Sequence, residues 1–314
     1  MVASSNLVTP TEERGSQSLY AAGFFLLPIM KNLNPMTTAS IVTHRTDPAE
    51  LSRAIGCILR CGDVECVYVV DNSPDESLRP VVEKIPAAIY LHVPNDGFGA
   101  GHNVALRRAL ESGADFHLVM NADVMWEGDI LSPMIAYMKE NPDVGLAAPK
   151  VYYPDGDLQY ACRMLPTPWD VFAKRFLPAS LTRKRMERYL LAYADHDRPF
   201  NCPYLLGSFM LFRMEALRDV GLFDERFFMY PEDIDITRRV HERWRTMFWP
   251  GVSIIHAHAA ASRKSAKMLR IHIVNMWRYF CKWGWWHDRK RREYNRRLLR
   301  TLPRLCGPRP RARG

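Results

Sequence analysis

The sequence predicts an α/β protein with a mostly parallel central sheet and a C-terminal helical extension rich in cations and aromatics. Three observations predict it. From Ala39 onward, short β-rich runs alternate with stretches of helical periodicity, the pattern of strands joined by crossover helices. Each apolar run closes in polar or turn-forming residues, as strands do at the edge where a parallel sheet meets its ligands. Finally, 17 of the 43 lysines and arginines follow residue 262, against only Asp288 and Glu293.

The elements come in order. "ASIVTH" is a short apolar strand, "PAELSRAIGCILRC" has helical spacing, and "CVYVVDNS" is a β-rich run ending in a turn. "AIYLHV" begins a second cycle, "GHNVALRRALESG" is a helix ended by Gly113, and "FHLVMNAD" is a fourth, buried strand with a polar end. "DILSPMIAYMKENP" and "VGLAAPKVYY" add a helix and a strand. With right-handed crossovers, the strand C-terminal edge gathers Thr43 and His44, Asp71 and Asn72, Asn95 to Asn103, and Asn121 to Asp123. Residues 1–37 read as a poorly ordered extension, 38–262 as the main domain, and 263–314 as the basic helical region. The stretch from Pro166 to Pro203 lacks a strand signal and reads as a helical insertion over the active site.

Composition narrows the function classes. At 314 residues and 47% hydrophobic content, the chain has the material for a large core, which excludes disorder as its main state. Its seven cysteines (57, 61, 66, 162, 202, 281 and 306) form an odd set without a CxxC pair, against a zinc ribbon or a disulfide framework and in favour of a reducing compartment. The run "YAAGFFLLPIM" is about half the length that spans a bilayer, and no signal peptide is expected. The net charge of +9 resides in the tail. There, "IHIVNMWRYFCKWGWWHDRKRREYNRRLLRTL" interleaves aromatics with cations, which suits an anionic membrane surface. Nucleic acid is the rival partner and is not the one expected. A solvated helix packing its aromatics inward stays open beside both.

Three motifs carry chemistry. "PNDGFGAGHN" holds Gly97, Gly99 and Gly101, but its GxGxG spacing after the third strand is wrong for a dinucleotide fingerprint. Its glycines allow close backbone approach to a ligand, with helix-start amides facing an anion, and a tight structural turn is the alternative. "VMNADV" ends a buried strand with Asn121 and Asp123, where one carboxylate can face a divalent cation that completes its shell with phosphate oxygens. "FDERFFMYPEDIDITRRV" sets Glu232, Asp233 and Asp235 beside an aromatic run, which is either a catalytic carboxylate cluster or an acid-rich helix start at Pro231.

Taken together, "IVTH", "VVDNS", "NDGFGAGHN" and "NADV" in this order resemble the nucleotide-sugar domain of family 2 glycosyltransferases, with the GT-A, Rossmann-like fold. "LLGSFMLFRMEALRDVGLFDERFFMYPEDIDITRRV", "PGVSIIHAHAAAS" and "RYFCKWGWW" resemble the rhamnosyltransferase-like branch, so the likeness spans Ala39 to Trp286. It implies a nucleotide-sugar half up to about residue 150 and an acceptor half after it. Thr43, Asp71, Asn95, Gly97, Asn103, Asn121, Asp123 and Gly207 are then expected around the donor. Asp123, the last residue of the family's DxD with Asn121 in place of the first Asp, is expected to hold Mg²⁺ or Mn²⁺ with His256; His258 follows on the same strand face. Asp233 matches the general base, with Glu232 and Asp235 supporting it. The resemblance implies inverting transfer of a sugar, rhamnose in this branch, from a nucleoside diphosphate to a saccharide or lipid-linked acceptor of surface polysaccharide synthesis. The expected location is cytoplasmic, peripheral at the inner face of the cell membrane. A sugar nucleotidylyltransferase is the alternative enzyme, though "IVTHRTDPAE" lacks its lysine-bearing glycine loop; a non-catalytic nucleotide-sugar-binding module is the alternative without turnover.

Overall fold

The computed structural model describes residues 36–62, 64–257 and 266–304. The N-terminal apolar run, His258 and Cys306 therefore lie outside the described residues. The first half is β1 (Thr37–Thr43), α1 (Pro48–Leu59), β2 (Val64–Asp71), α2 (Arg79–Val82), β3 (Ala88–His92), α3 (Phe98–Glu111), β4 (Phe116–Met120), β5 (Val124–Met125), α4 (Leu131–Glu140) and β6 (Val144–Tyr152). There follow β7 (Leu158–Gln159), β8 (Cys162–Arg163), α5 (Pro168–Phe176), α6 (Ala179–Tyr189), β9 (Phe200–Asn201), β10 (Tyr204–Leu205), β11 (Phe209–Arg213) and α7 (Met214–Val220). The last are α8 (Glu232–His241), β12 (Arg245–His256), α9 (Ala266–Trp283) and α10 (Arg289–Thr301).

The sheet runs β3-β2-β1-β4-β11-β6-β12-β5. Its long strands β1 to β4, β6 and β12 share one direction, while β11 runs antiparallel between β4 and β6. β11 falls in "FMLFR", whose antiparallel pairing no periodicity distinguishes from a parallel core strand. Side-chain alternation divides its residues between two cores. Leu211 joins Ile41, Val69 and Leu118 beneath α1 and α4. Met210 and Phe212 point the other way, toward Leu106 of α3 and Ile236 and Val240 of α8.

The glycine segment differs from its expected role. α3 already begins at Phe98, so Gly99 and Gly101 are helical residues. A Cβ on Gly99 would lie 2.9 Å from Phe223 Cβ, and one on Gly101 2.9 Å from Val42 Cγ2. These glycines let α3 press onto the sheet and the 223 loop, and no ligand is needed to explain them. Beneath α3, Thr38, His117, Ser40 and His102 form a buried hydrogen-bonded chain with links of 2.7–2.8 Å.

The insertion is helical in α5 and α6, but its end differs from the expectation: Phe200–Asn201 form β9 against β12, a strand too short to leave a signal in the sequence. Among the described residues no helix is long and apolar enough to cross a membrane.

Candidate active site

The turn after β4 sets the first half of the site. Asn121 N–H donates to Ser208 O at 3.1 Å, and Ala257 N–H donates to Asp123 O at 3.1 Å. The β12–β5 pairing puts His256 opposite Val124. His256 Nε2 thereby comes 3.3 Å from Asp123 Oδ1, whose side chain is 20% exposed. On the far side of the ring, Nδ1 lies 2.7 Å from Gln159 Oε1. A carbonyl oxygen only accepts, so Nδ1 carries the proton and Nε2 is the nitrogen turned toward Asp123. Asn121 Oδ1 is buried without a partner.

The second half stands at the start of α8. Asp233 Oδ2 accepts from Gly207 N–H at 3.1 Å and from Tyr204 Oη at 3.4 Å, while Oδ1 accepts from Ile234 N–H at 2.8 Å. Gly207 is needed for this approach, because a Cβ there would stand 3.0 Å from Asp233 Cβ. Burial raises the Asp233 carboxyl to about 6; the Gly207 N–H, the Arg163 charge, the Ile234 N–H and the Tyr204 hydroxyl each pull it back. Glu232 is pushed well above the usual carboxylate range, by burial and then by the Asp233 charge. Its Oε2 has no partner. Two adjacent carboxyls in one apolar setting thus resist ionising together. Just upstream, Tyr230 holds a left-handed φ of 95° and stacks on His272 at 4.7 Å, a strained residue leading directly into the helix. The acid-rich start and the carboxylate cluster are one object: Glu232, Asp233 and Asp235 all occupy the first turn of α8.

One backbone segment joins the halves. Ser208 receives the Asn121 amide while neighbouring Gly207 gives its own amide to Asp233. The Asp123 turn and the Asp233 carboxyl therefore flank the same two residues.

The other residues expected around the donor have the following partners within the fold. Asp71 is fully buried, with Oδ1 accepting from Thr43 Oγ1 at 3.1 Å and Ser73 N–H at 2.9 Å, and Oδ2 from Tyr90 Oη at 2.7 Å. Thr43 and Asp71 thus fasten the ends of β1 and β2 to each other. Asn103 is also committed: its amide donates to Phe223 O and Glu225 Oε1, both at 2.9 Å, and accepts from Phe223 N–H at 3.0 Å. It has no N–H left for a donor. Gly97, at φ 109°, meets the Phe228 backbone and passes to Phe98, whose N–H donates to Phe228 O at 3.0 Å. Asn95 stays exposed, 3.3 Å from His44 Nδ1. Asp235 pairs with Arg239 at 2.9 Å and Lys282 at 2.7 Å, and accepts from Trp283 Nε1 at 2.8 Å, a bracing role away from Asp233. Sequence reasoning missed Gln159 and Tyr204, which sit in two-residue strands too short to carry a periodic signal.

The C-terminal helices hold α8 in place. Arg238, 1% exposed, makes a bidentate pair with Asp288 at 2.6 and 2.7 Å and stacks 4.0 Å from the Trp283 ring. Asn275 Nδ2 donates to Met229 O at 3.0 Å. The inward-packing reading of the tail thus accounts for Tyr279, Phe280 and Trp283. Trp277 and Trp286, at 61% and 66% exposure, and Arg289, Arg292, Arg296, Arg297 and Arg300 of α10 are left outside, while Arg291 is buried.

Residues 39–221 match the family described as "Glycosyl transferase family 2". The chain belongs to this family. N-acetylglucosaminyl-diphospho-decaprenol L-rhamnosyltransferase of Mycobacterium tuberculosis is 27% identical over 240 residues, 70% of this chain and 76% of that protein. Rhamnosyltransferase WbbL of Escherichia coli is 25% identical over 224 residues, 69% and 82% of the respective chains. This glycosyltransferase accordingly sits on the rhamnosyltransferase-like branch. Mannosyltransferase PcManGT from Pyrobaculum calidifontis, solved with GDP-Man and Mn²⁺, shares the fold at TM-score 0.52 and 18% identity, covering 79% of this chain and 65% of its own. GalNAc-T7, solved with UDP, GalNAc and Mn²⁺, does so at 0.53 and 13%, covering 72% of this glycosyltransferase, which spans 44% of its length. The fold is GT-A. Asp233 lies beyond the matched family segment.

Proposed function

We propose that this glycosyltransferase moves rhamnose from a nucleoside diphosphate to a hydroxyl of a lipid-linked saccharide, inverting the anomeric centre, in surface polysaccharide synthesis. The observation that carries the reading is the buried Asp233 carboxyl at about 6, fixed by the Gly207 amide against the Asp123 turn. A base with that value is ionised at neutral pH yet basic enough to take a proton in the transition state. Asp233 accepts the proton of the acceptor hydroxyl as its oxygen bonds to the anomeric carbon, while the bond from that carbon to the diphosphate oxygen breaks and the nucleoside diphosphate departs. Tyr204 Oη and the Gly207 N–H hold the carboxyl oriented for the attack, and Phe227 walls the site.

The donor set of the Asp123 turn fits a divalent cation. Asp123 Oδ1 and His256 Nε2 stand 3.3 Å apart, close to the roughly 3 Å edge between neighbouring ligands of an octahedral Mg²⁺ or Mn²⁺. Asn121 Oδ1 is a buried acceptor beside them. Among the described residues no group of three or more His, Cys, Asp or Glu side chains is placed to hold a metal ion, so the donor's phosphate oxygens would have to complete the shell. Such a cation, when bound, neutralises charge on the leaving diphosphate.

The lipid-linked acceptor is taken from the printed activity of the mycobacterial relative. Peripheral attachment to the inner face of the membrane draws support from exposed Ile273, Val274, Trp277 and Trp286, and from Arg289, Arg292, Arg296, Arg297 and Arg300 on α10. The test is transfer from dTDP-rhamnose, UDP-sugars and GDP-sugars to a prenyl-diphosphate N-acetylglucosamine, with Mn²⁺ or with chelator, reading the product's anomeric configuration by NMR. Inverted rhamnoside formed only with metal is expected. A retained configuration, or undiminished transfer in chelator, refutes the mechanism.

A further inference from the structure

Arg163 has no part in the chemistry so far, and its surroundings are unusual for a cation. It sits on β8, directly opposite Tyr204 of β10. Its guanidinium lies 5.7 Å from the Tyr204 ring centroid, and Tyr204 Oη reaches Asp233. Tyr189, Tyr153 and Asp233 also feel its charge. Yet its one hydrogen bond runs from Nε to Tyr160 O at 3.3 Å, and it makes no ion pair within 4.0 Å among the described residues. Other arginines here show what a structural role looks like. Arg238 is clamped bidentately by Asp288, and Arg239 holds Asp235 and three backbone carbonyls. A cation drawn into a tyrosine-lined setting without a paired carboxylate carries a desolvation cost that such clamps offset elsewhere.

The side of the site it occupies defines what it would meet. The expected cation and donor diphosphate belong to the Asp123 turn. Arg163 stands instead with Tyr204 at the base, where the incoming hydroxyl arrives. We infer that Arg163 binds a phosphate of the acceptor, through its free Nη face, so that the protein selects saccharides whose accepting sugar is carried on a phosphate or diphosphate. The inference rests on the acceptor reading above, and adds the residue that reads it. A guanidinium suits this task, because its planar donors match two phosphate oxygens at once.

Two arms test it. In the first, the wild-type protein is saturated with Mn²⁺ and dTDP, so that the donor's diphosphate position is filled, and inorganic pyrophosphate is titrated by calorimetry. Binding is expected, and its loss in Arg163→Gln, with partial return in Arg163→Lys, supports the inference. No pyrophosphate binding to the dTDP-loaded wild type overturns it, whatever the transfer assay shows. In the second arm, a prenyl-diphosphate N-acetylglucosamine is compared with an alkyl N-acetylglucosaminide lacking phosphate. Wild type should prefer the first in kcat/KM, and Arg163→Gln should cut that preference at least tenfold. The Asp233 carboxyl is also faced by Glu232, Tyr204 and Tyr189, so a pH profile is recorded with each variant. An unchanged preference accompanied by a displaced acid limb means that Arg163 serves Asp233 alone, and overturns the inference while leaving the glycosyltransferase reading intact.

Discussion

Asp233→Asn should remove activity and stabilise the fold in one step. In the folded state the carboxyl titrates near 6, against 3.8 in an unstrained setting. The folded value is the higher one, so the protonated form is at ease in the protein and ionisation opposes folding. Stability associated with this group is therefore complete below about pH 3.8 and is lost as pH rises through about 6. The difference corresponds to about 3 kcal/mol at pH 8. An Asn keeps an acceptor for the Gly207 N–H but has no second oxygen for Ile234, which leaves a gain of up to about 2 kcal/mol, or roughly up to 4 °C in Tm. Without a base, turnover should fall by about 10²- to 10⁴-fold. Calorimetry of both proteins at pH 4 and pH 8, with transfer assays on the same samples, reads both effects. Equal melting differences at the two pH values would refute the burial argument, and retention of more than a tenth of the activity would refute the base.

Other perturbations follow from the same geometry. Burial holds His117 at about 3 and keeps His102 well below its ordinary 6.5, so unfolded chains take up protons that the folded state refuses. Stability from this pair is full above pH 6.5 and should erode by up to about 2.7 kcal/mol per pH unit near pH 5; urea midpoints that stay level from pH 7 to pH 5 would contradict it. Asp288→Asn strands the buried Arg238 and should cost about 3–5 kcal/mol, measured by chemical denaturation, with a loss below 1 kcal/mol counting against the clamp. Gly97→Ala forces a Cβ into the Phe228 carbonyl at a left-handed φ and should cost about 1–3 kcal/mol, which chemical denaturation would register.

How legible the molecule was depended on length scale. Strands such as "CVYVVD" and helices such as "PAELSRAIGCIL" announce themselves because each spans enough residues for its period to repeat. β11 was visible as a run but silent about direction, since burial on both faces erases the alternation that would mark an antiparallel strand. At the site, Asp123, His256 and Asp233 could be proposed because their neighbours form ordered motifs. Their orienting partners could not. Gln159 and Tyr204 reach them from two-residue strands, 97 and 29 positions away in the chain respectively. Asp71 and Asn103 show the converse: polar residues in ordered motifs invite a ligand reading, and in the fold Asp71 accepts from Thr43, Ser73 and Tyr90 while Asn103 gives its amide hydrogens to Phe223 and Glu225. Sequence shows which groups are available and is silent on which are already occupied.

The clamp from Asp288 to Arg238 has a practical consequence for anyone building chimeras of these enzymes. Because α8 carries the base at one end and is bolted to the last two helices at the other, a seam placed between α8 and α9 parts Arg238 from Asp288, whereas a cut at residue 221, where the family match stops, keeps both on one side. A graft that imports a foreign C-terminus must bring its own α8 along, or rebuild the Arg–Asp bolt across the seam. Chains truncated before residue 266 should accordingly be treated as different proteins and not as trimmed versions of this one.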